Sequence, residues 1–462
     1  MSSKLTIALP LALALTGCSL GPAYHRPASP TVATWRARVP AASAVWPSAN
    51  WWQGFDSPEL DHLMQEAEHA NDDLAAAIAR VREADAEVTT ASAPLLPSVD
   101  ASFTGNRQEV YDLFSPSGGG VNSRSFTAEL AASYELDFWG ENRAVRSAAL
   151  ATEAANRFDR ETVELTVMTS VGSAYFSVLA LEDRLSIARA NLASAQETLK
   201  DLEIDENVGT TTSLTVAQQA SAVATLSAAI PPLRQSVQQS LDALAILVGK
   251  TPEHFQVQAK TLAGIAAPQP VAGMPSKLLE RRPDVAEAEA QLVAANADIR
   301  AARAAFFPTI NLTGSGGYES ADLAHLIVPA SRIFDLEGSI TQPLFHGRQL
   351  LGQYRYSKAR YEEMLADYRK AVISAFGNVE NSLAAVRDTT DEQQRENQAV
   401  ATAQRAYDLS QREFHAGVID ILTVLSTQST LFTAEDARAQ VELAHLQALV
   451  ALFDALGGGW RR

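Results

Sequence analysis

Two periods of hydrophobic and polar residues divide this chain. In residues 126–138, Phe126, Ala128, Leu130, Ala132, Tyr134, Leu136 and Phe138 alternate with Thr127, Glu129, Ala131, Ser133, Glu135 and Asp137. A period of two is that of a β-strand with one apolar face. The same alternation joins Val99, Ala101 and Phe103, and again Ile310 and Leu312. A fourth set, Phe334, Leu336, Ile340 and Leu344, opposes Asp335, Glu337, Ser339 and Thr341. These patterns predict strands over 98–110, 123–138, 308–319 and 333–345. A soluble sandwich with one solvated face would show the same alternation.

The remaining pattern is helical. A helix is expected over 58–93, and no proline interrupts 140–206, a run that at ~1.5 Å per residue reaches ~100 Å. Steps of three and four link Leu165, Met168, Gly172, Tyr175 and Leu179. They recur at Val216, Ala220 and Val223, then at Val237, Leu241, Leu244 and Val248. Such steps are heptad seams. Pro231 and Pro232 fall inside the second seam, where loss of two backbone donors predicts a bend or break.

The chain also repeats itself. Pro94-Leu95-Leu96-Pro97-Ser98-Val99 is echoed by Ala305-Phe306-Phe307-Pro308-Thr309-Ile310, and Leu136-Asp137-Phe138-Trp139-Gly140 by Pro343-Leu344-Phe345-His346-Gly347. Gly209 and Leu214-Thr215-Val216 return as Gly417 and Leu422-Thr423-Val424. The displacements are 211, 207 and 208 residues. Near-constant offset across three local patterns marks a duplicated unit of helix, two strands and a long helix hairpin.

At the N-terminus Lys4 precedes a short apolar run that ends in Leu15-Thr16-Gly17-Cys18. The run is too short to span a bilayer, which needs ~20 residues. It reads as a signal peptide over 1–17, with Cys18 the acceptor of S-diacylglycerol and N-acyl chains. Ser19, rather than Asp, resembles lipoproteins sorted to the outer membrane. Cys18 is the only cysteine, which excludes a disulfide and a cysteine metal site. Residues 47% apolar and 20% charged describe a folded chain, and a net charge of −17 argues against nucleic acid. Beyond residue 18 no apolar run is long enough for a spanning helix, so a crossing requires strands closed into a barrel. Four strands cannot close one, since the smallest natural barrels have about eight. The protomer must then oligomerise.

The competing class, a soluble periplasmic enzyme or binding protein, finds no site. His62 and His69 flank Glu66 without metalloprotease spacing, and the glycine run 118–120 lacks a following Gly-Lys-Ser or Gly-Lys-Thr. No catalytic residue, metal or cofactor beyond the lipid is expected. Alternation along barrel strands accounts for Glu129, Glu135, Asp137, Asp335 and Glu337 as a water-lined lumen that favours cations. Asp201, Glu203, Asp205 and Glu206 crowd a predicted helix end against its dipole, whereas 411–415 lacks that charge. They form a candidate electronegative rim.

Three motifs carry a family resemblance: Ala272-Gly273-Met274-Pro275-Ser276-Lys277-Leu278-Leu279-Glu280-Arg281-Arg282-Pro283-Asp284, the stretch from Ala294-Ala295-Asn296 to Phe306-Phe307-Pro308, and Ala455-Leu456-Gly457-Gly458-Gly459-Trp460. With them the chain resembles the TolC-like outer-membrane efflux proteins, in the OprM/NodT lipoprotein branch. The resemblance implies a mixed, mainly α fold. It implies a homotrimer with a 12-stranded transmembrane β-barrel, four strands per protomer, continued by a periplasmic α-helical coiled-coil barrel. It divides the chain into an anchor and equatorial segment 18–57, repeats 58–249 and 276–456 with helix hairpins 140–249 and 347–456, a linker 250–275 and a tail 457–462. The implied partners are a periplasmic adaptor of the membrane fusion class and an inner-membrane pump of the resistance-nodulation-division class, and the implied work is drug or solute efflux. Type I polypeptide secretion is the alternative within the fold. In OprM-like ducts a leucine, an aspartate and an arginine close the periplasmic tip. The corresponding positions are Leu422, Ser426 and Ser429, so the charge latch is replaced by hydroxyls.

Overall fold

The computed structural model describes residues 21, 23–28, 34–36, 46–111, 120–268 and 275–460. Cys18 and the first hairpin tip, 112–119, lie outside the described residues. Two compact units are present, one of Met1–Ala28, Arg80–Arg157 and Glu287–Tyr368, the other of Ser29–Ala79, Phe158–Ala286 and Arg369–Arg462.

In chain order the elements are α1 (Pro58–Ala70), α2 (Asp72–Ser92), β1 (Ser98–Tyr111), β2 (Gly120–Glu135), α3 (Glu141–Asn207) and α4 (Ser213–Leu247). After a single turn at Pro275–Leu278 come α5 (Pro283–Ala304), β3 (Thr309–Ser320), β4 (Arg332–Thr341), α6 (Gln349–His415) and α7 (Ile421–Ala455). The duplication is exact in the long helices: α3 and α6 have 67 residues each, α4 and α7 have 35 each, and their boundaries differ by 208 positions.

The first unit holds the sheet, antiparallel in the order β1-β2-β3-β4. Small residues line the helices beside it, with Ala144, Ala148, Ala151, Ala295 and Ala302 buried, which lets backbones approach closely. Trp139 closes the first hairpin by donating Nε1–H to the Pro308 carbonyl at 2.8 Å while its ring lies 4.9 Å from that of Phe307.

The second unit contains an extended apolar core. Trp51, Phe55, Leu60 and Met64 meet Val171, Tyr175, Phe176 and Leu179 of α3, Leu244 of α4, and Leu449 and Phe453 of α7. At the heptad step Gly172 the neighbours are close, and a Cβ there would stand in ordinary van der Waals contact with Met64 (3.4 Å) and Val450 (3.7 Å). This stretch explains why α3 has an 18-residue window of mean hydropathy 1.3 that is 56% buried. Its apolar residues fill a core rather than facing lipid. Lower in the second seam Ala220 is exposed, and Gln219 is buried in its place, donating its amide to the Ala195 carbonyl at 2.7 Å.

Packing changes the picture at three places. The helix predicted over 58–93 is two helices, because Asn71 turns extended at ψ 126°. Its Oδ1 caps α2 at Leu74 N (3.0 Å), and its amide donates to the Leu247 carbonyl (2.8 Å), tying the end of α1 to the end of α4. Pro231 and Pro232 do not interrupt α4, which runs continuously through them. Both rings are exposed, so water can reach the two carbonyls, of Ser227 and Ala228, that lose helical donors. The glycines that open the tail are packed. Gly457, Gly458 and Gly459 all have positive φ and pass against the Arg281 carbonyl, Leu165 and Ser48 respectively. Arg282, 7% exposed, completes this clasp by forking onto Asp284 at 2.9 and 2.6 Å and donating to the Ala455 carbonyl at the end of α7.

Gly457→Ala should therefore lower the unfolding free energy, and with it the thermal midpoint, by at least the ~1 kcal/mol of left-handed strain, plus the collision with Arg281. Gly264→Ala, at φ +94° in open space, should show strain alone. Circular-dichroism melts yielding equal losses would remove the clasp.

His445 on α7 lies 3.1 Å from Thr389 Oγ1 of α6, and burial lowers its pKa. Below the ordinary value of ~6.5, the unfolded chain takes a proton that folded His445 resists. Stability should thus be full above pH ~6.5 and fall as pH descends toward the lowered folded value. His445→Gln should flatten this segment of the melting-temperature profile; an unchanged slope between pH 7 and 5 would refute the assignment.

Candidate functional site

The register of the sheet separates its residues into two faces. Ser102 pairs Glu129, Glu129 pairs Gly317, and Ser315 and Thr313 pair Asp335 and Glu337. Glu129, Glu135, Asp335 and Glu337 therefore share one face, joined by Asp100, Asn311 and Glu319. The opposite face carries Val99, Phe103, Leu130, Leu312, Phe334, Leu336 and Ile340. These are exposed, Phe334 by 89% and Leu336 by 84%, which no water-facing sheet sustains at that density. Gly317 lets the strands meet, for a Cβ there would strike the Ala128 carbonyl.

Asp137 does not join the polar face. β2 ends at Glu135, and Asp137 instead accepts from the backbone N–H groups of Asn142 (3.1 Å) and Arg143 (3.0 Å) at the start of α3. Its second contact with Arg143 Nε, 2.9 Å, fixes the strand-to-helix corner. Period-two alternation alone could not reveal this; the following Trp139-Gly140 was the available signal of a turn. Nearby Glu141 has its pKa raised by burial and then by Glu135 and Asp137.

In the second unit both helix hairpins turn alike. Gly209 and Gly417 adopt φ +80° and +71°, and Thr210 and Val418 donate back to Asp205 and Glu413 at 2.9 Å each. Thr212 and Asp420 then cap α4 and α7 through Thr215 N (3.3 Å) and Thr423 N (3.0 Å). Asp201, Glu203 and Asp205 are exposed and Glu206 half-buried at the end of α3. The positions displaced by 208 are Leu409, Gln411, Glu413 and Phe414, so one hairpin end is acidic and the other is not.

On α7, Leu422 is 52% exposed and Ser426 and Ser429 are exposed on the same face. Ile421, Val424, Gln428 and Leu431 are buried on the other. The structure thus leaves the three candidate gate side chains free of core packing within the protomer. His62 and His69 are exposed, His62 lying 3.7 Å from Glu66 with its side chain 68% exposed, while Glu66 is half-buried and pairs Lys250. Among the described residues no cluster of His, Cys, Asp or Glu could hold a metal ion.

The comparisons with known proteins agree with this geometry. The pattern of the outer membrane efflux protein family matches residues 63–250 and 274–458. The chain is 40% identical to the pyoverdine export outer membrane protein OpmQ of Pseudomonas aeruginosa, covering 100% of this chain and 98% of that protein. It is 33% identical to the toluene efflux pump outer membrane protein TtgC of Pseudomonas putida, covering 97% and 94%. Among solved structures it superimposes on the outer-membrane channel OprN with a TM-score of 0.89 at 26% identity, over 96% of this chain and 100% of that one. The open state of the Neisseria gonorrhoeae MtrE outer membrane channel gives 0.87 at 29%, over 96% and 99%.

Proposed function

The chain belongs to the outer membrane efflux proteins, is a TolC-like outer-membrane channel of tripartite efflux systems and no enzyme, and from that premise we propose how it assembles, anchors and closes. Three copies join edge to edge into one twelve-stranded barrel. The observation that carries this reading is the sheet itself. Among the described residues the outer edges of β1 and β4 have no strand partner, and one sheet face is apolar and exposed. An even strand count keeps the β4-to-β1 junction antiparallel, and closure satisfies backbone groups that lipid cannot. Solutes enter from a periplasmic adaptor and an inner-membrane pump of the resistance-nodulation-division class. The relatives' names, pyoverdine export and toluene efflux, support small molecules as cargo over a secreted polypeptide.

The anchor is an acylated Cys18. Residues 21 and 23–28 run back along α5: Arg26 pairs Glu289 at 3.0 Å, and Gly21 lies against Arg300. Since α5 leads straight to β3, this strap carries the described part of the chain toward the sheet. Membrane-extracted protein should show the mass of a triacylated cysteine, and in detergent a scattering mass near three chains of 49.5 kDa. An unmodified Cys18 would remove the anchor, and a monomer the barrel.

Closure uses the face of Leu422, Ser426 and Ser429, an apolar and hydroxyl gate without an ion-pair latch. Exposed ion pairs contribute only ~0–1 kcal/mol each, but threefold symmetry would repeat them, so their loss lowers the opening cost by up to ~3 kcal/mol. The acids at 201, 203, 205 and 206 form an electronegative rim that attracts cations or a basic adaptor tip, while Glu129, Glu135, Asp335 and Glu337 line the barrel lumen. In planar bilayers Leu422→Ser should raise conductance. Ser426→Asp with Ser429→Arg should make closure newly salt-sensitive, and amides at the four rim acids should lower cation preference. Conductance and salt dependence unaltered by both gate changes would place the gate elsewhere; unaltered selectivity and adaptor crosslinking would leave the rim a solvated surface.

A further inference from the structure

A groove of about 520 Å³ lies between α4 and α7, one helix from each half of the duplication. Leu226, Leu425 and Phe432 form its apolar part, and Thr225, Gln428 and Ser429 supply polar atoms. None of the side chains lining it is charged, in a chain of net charge −17 whose long helices are otherwise rich in ion pairs. Other cavities differ. One beside Glu59, His62, Glu66 and Lys250, and one beside Glu68, Glu161 and Glu164, are both lined by ionisable groups.

Gln428 is the second observation. It is 6% exposed as a residue, and its amide is not enclosed without a partner but belongs to the lining of the groove. Buried primary amides are normally paired, by protein, water or ligand. On α4 the buried Gln219 is half paired: its NH2 group reaches the Ala195 carbonyl, while its Oε1 has no partner. Gln428 instead lines an open groove, with donors and an acceptor still to be satisfied. An apolar wall with a few placed polar groups, at this volume, is the ordinary composition of a small-molecule pocket.

We propose that this groove binds an uncharged amphiphile, an aromatic or aliphatic body bearing one hydroxyl, amide or carbonyl group that pairs with Gln428, and that its occupancy acts on the gate. The apolar body displaces water from Leu226, Leu425 and Phe432. A carboxylate or ammonium would gain no counter-charge here and would have to shed its hydration, so ionic solutes are excluded. The link to the gate is Ser429, which belongs both to the groove and to the exposed face of Leu422 and Ser426. This link rests on the gate reading above. An occupant bridging α4 and α7 also holds the two halves of the protomer at one separation, which makes their movement at this level depend on it.

The probe is 2-naphthol, neutral at pH 7, titrated calorimetrically into the full-length protein in lipid nanodiscs, with empty nanodiscs subtracted. Saturable binding is expected. Ala222→Trp, which fills the groove, should abolish it, and Gln428→Leu, which keeps the volume but removes the amide, should weaken it about tenfold, the equivalent of one hydrogen bond. Naphthalene-2-sulfonate, the same body with a charge, should not bind. In planar bilayers 2-naphthol should change the conductance of the wild-type protein and leave Ala222→Trp unaffected. Absence of saturable heat, as when a helix of another copy fills the groove, overturns the site. Binding equal in wild type and both variants overturns it as well, and binding without any change in conductance overturns its action on the gate. Conductance of Leu422→Ser without naphthol tests the gate alone, so the two failures are separable.

Discussion

A backbone amide in hydrocarbon has no water to pair with, and each unpaired group there costs several kcal/mol. That constraint governs this chain because its sheet presents Phe334, Leu336 and Ile340 outward at exposures of 72–89% while β1 and β4 keep open edges. The apolar face demands lipid, and lipid demands closed edges. In the assembly proposed above, a four-stranded protomer satisfies both by sharing edges with copies of itself. The close approach at Gly317 and the tie from Trp139 to Pro308 hold the register that keeps acids on one face and aliphatic groups on the other.

Duplication then fixes the helical part. Two hairpins with the same glycine turn, cap and length pack through α3 and α7. Ser177, Arg184 and Asn191, spaced by heptads, meet Gln447, Asp436 and Glu435 there, at 3.0, 2.6 and 3.2 Å. Nearer the turns the joint is apolar, with Leu202, Tyr407, Ile421 and Val424. The halves share a backbone and diverge in side chains. The acids at 201, 203, 205 and 206 correspond to Leu409, Gln411, Glu413 and Phe414 in the other half, and an uncharged groove opens where α4 meets α7. Identical geometry with unequal chemistry gives one protomer two kinds of tip.

Much of this was legible beforehand. Period-two alternation found the strands and sorted Glu129, Glu135, Asp335 and Glu337 onto one face, because strand side chains alternate whatever the surroundings. The 208-residue displacement located both turns, because a glycine at positive φ is a local requirement. Asp137 was misplaced for an equally physical reason. Alternation does not say where a strand stops, and the corner is set by its hydrogen bonds to Asn142 and Arg143.

The sequence by itself determined the elements, the duplication and the face each side chain occupies, since all three follow from local periodicity and turn chemistry. Tertiary structure alone decided what depends on contacts between distant segments. Asn71 breaks a helix because it can reach Leu247, Pro231 and Pro232 are tolerated because their side of α4 is exposed, and the glycines at 457–459 are needed because Arg281, Leu165 and Ser48 crowd them. Gln428 carried no signal in the sequence. Whether a glutamine in an apolar heptad is paired like Gln219 or left facing a groove depends on which helix lies opposite, and only the packed chain settles that.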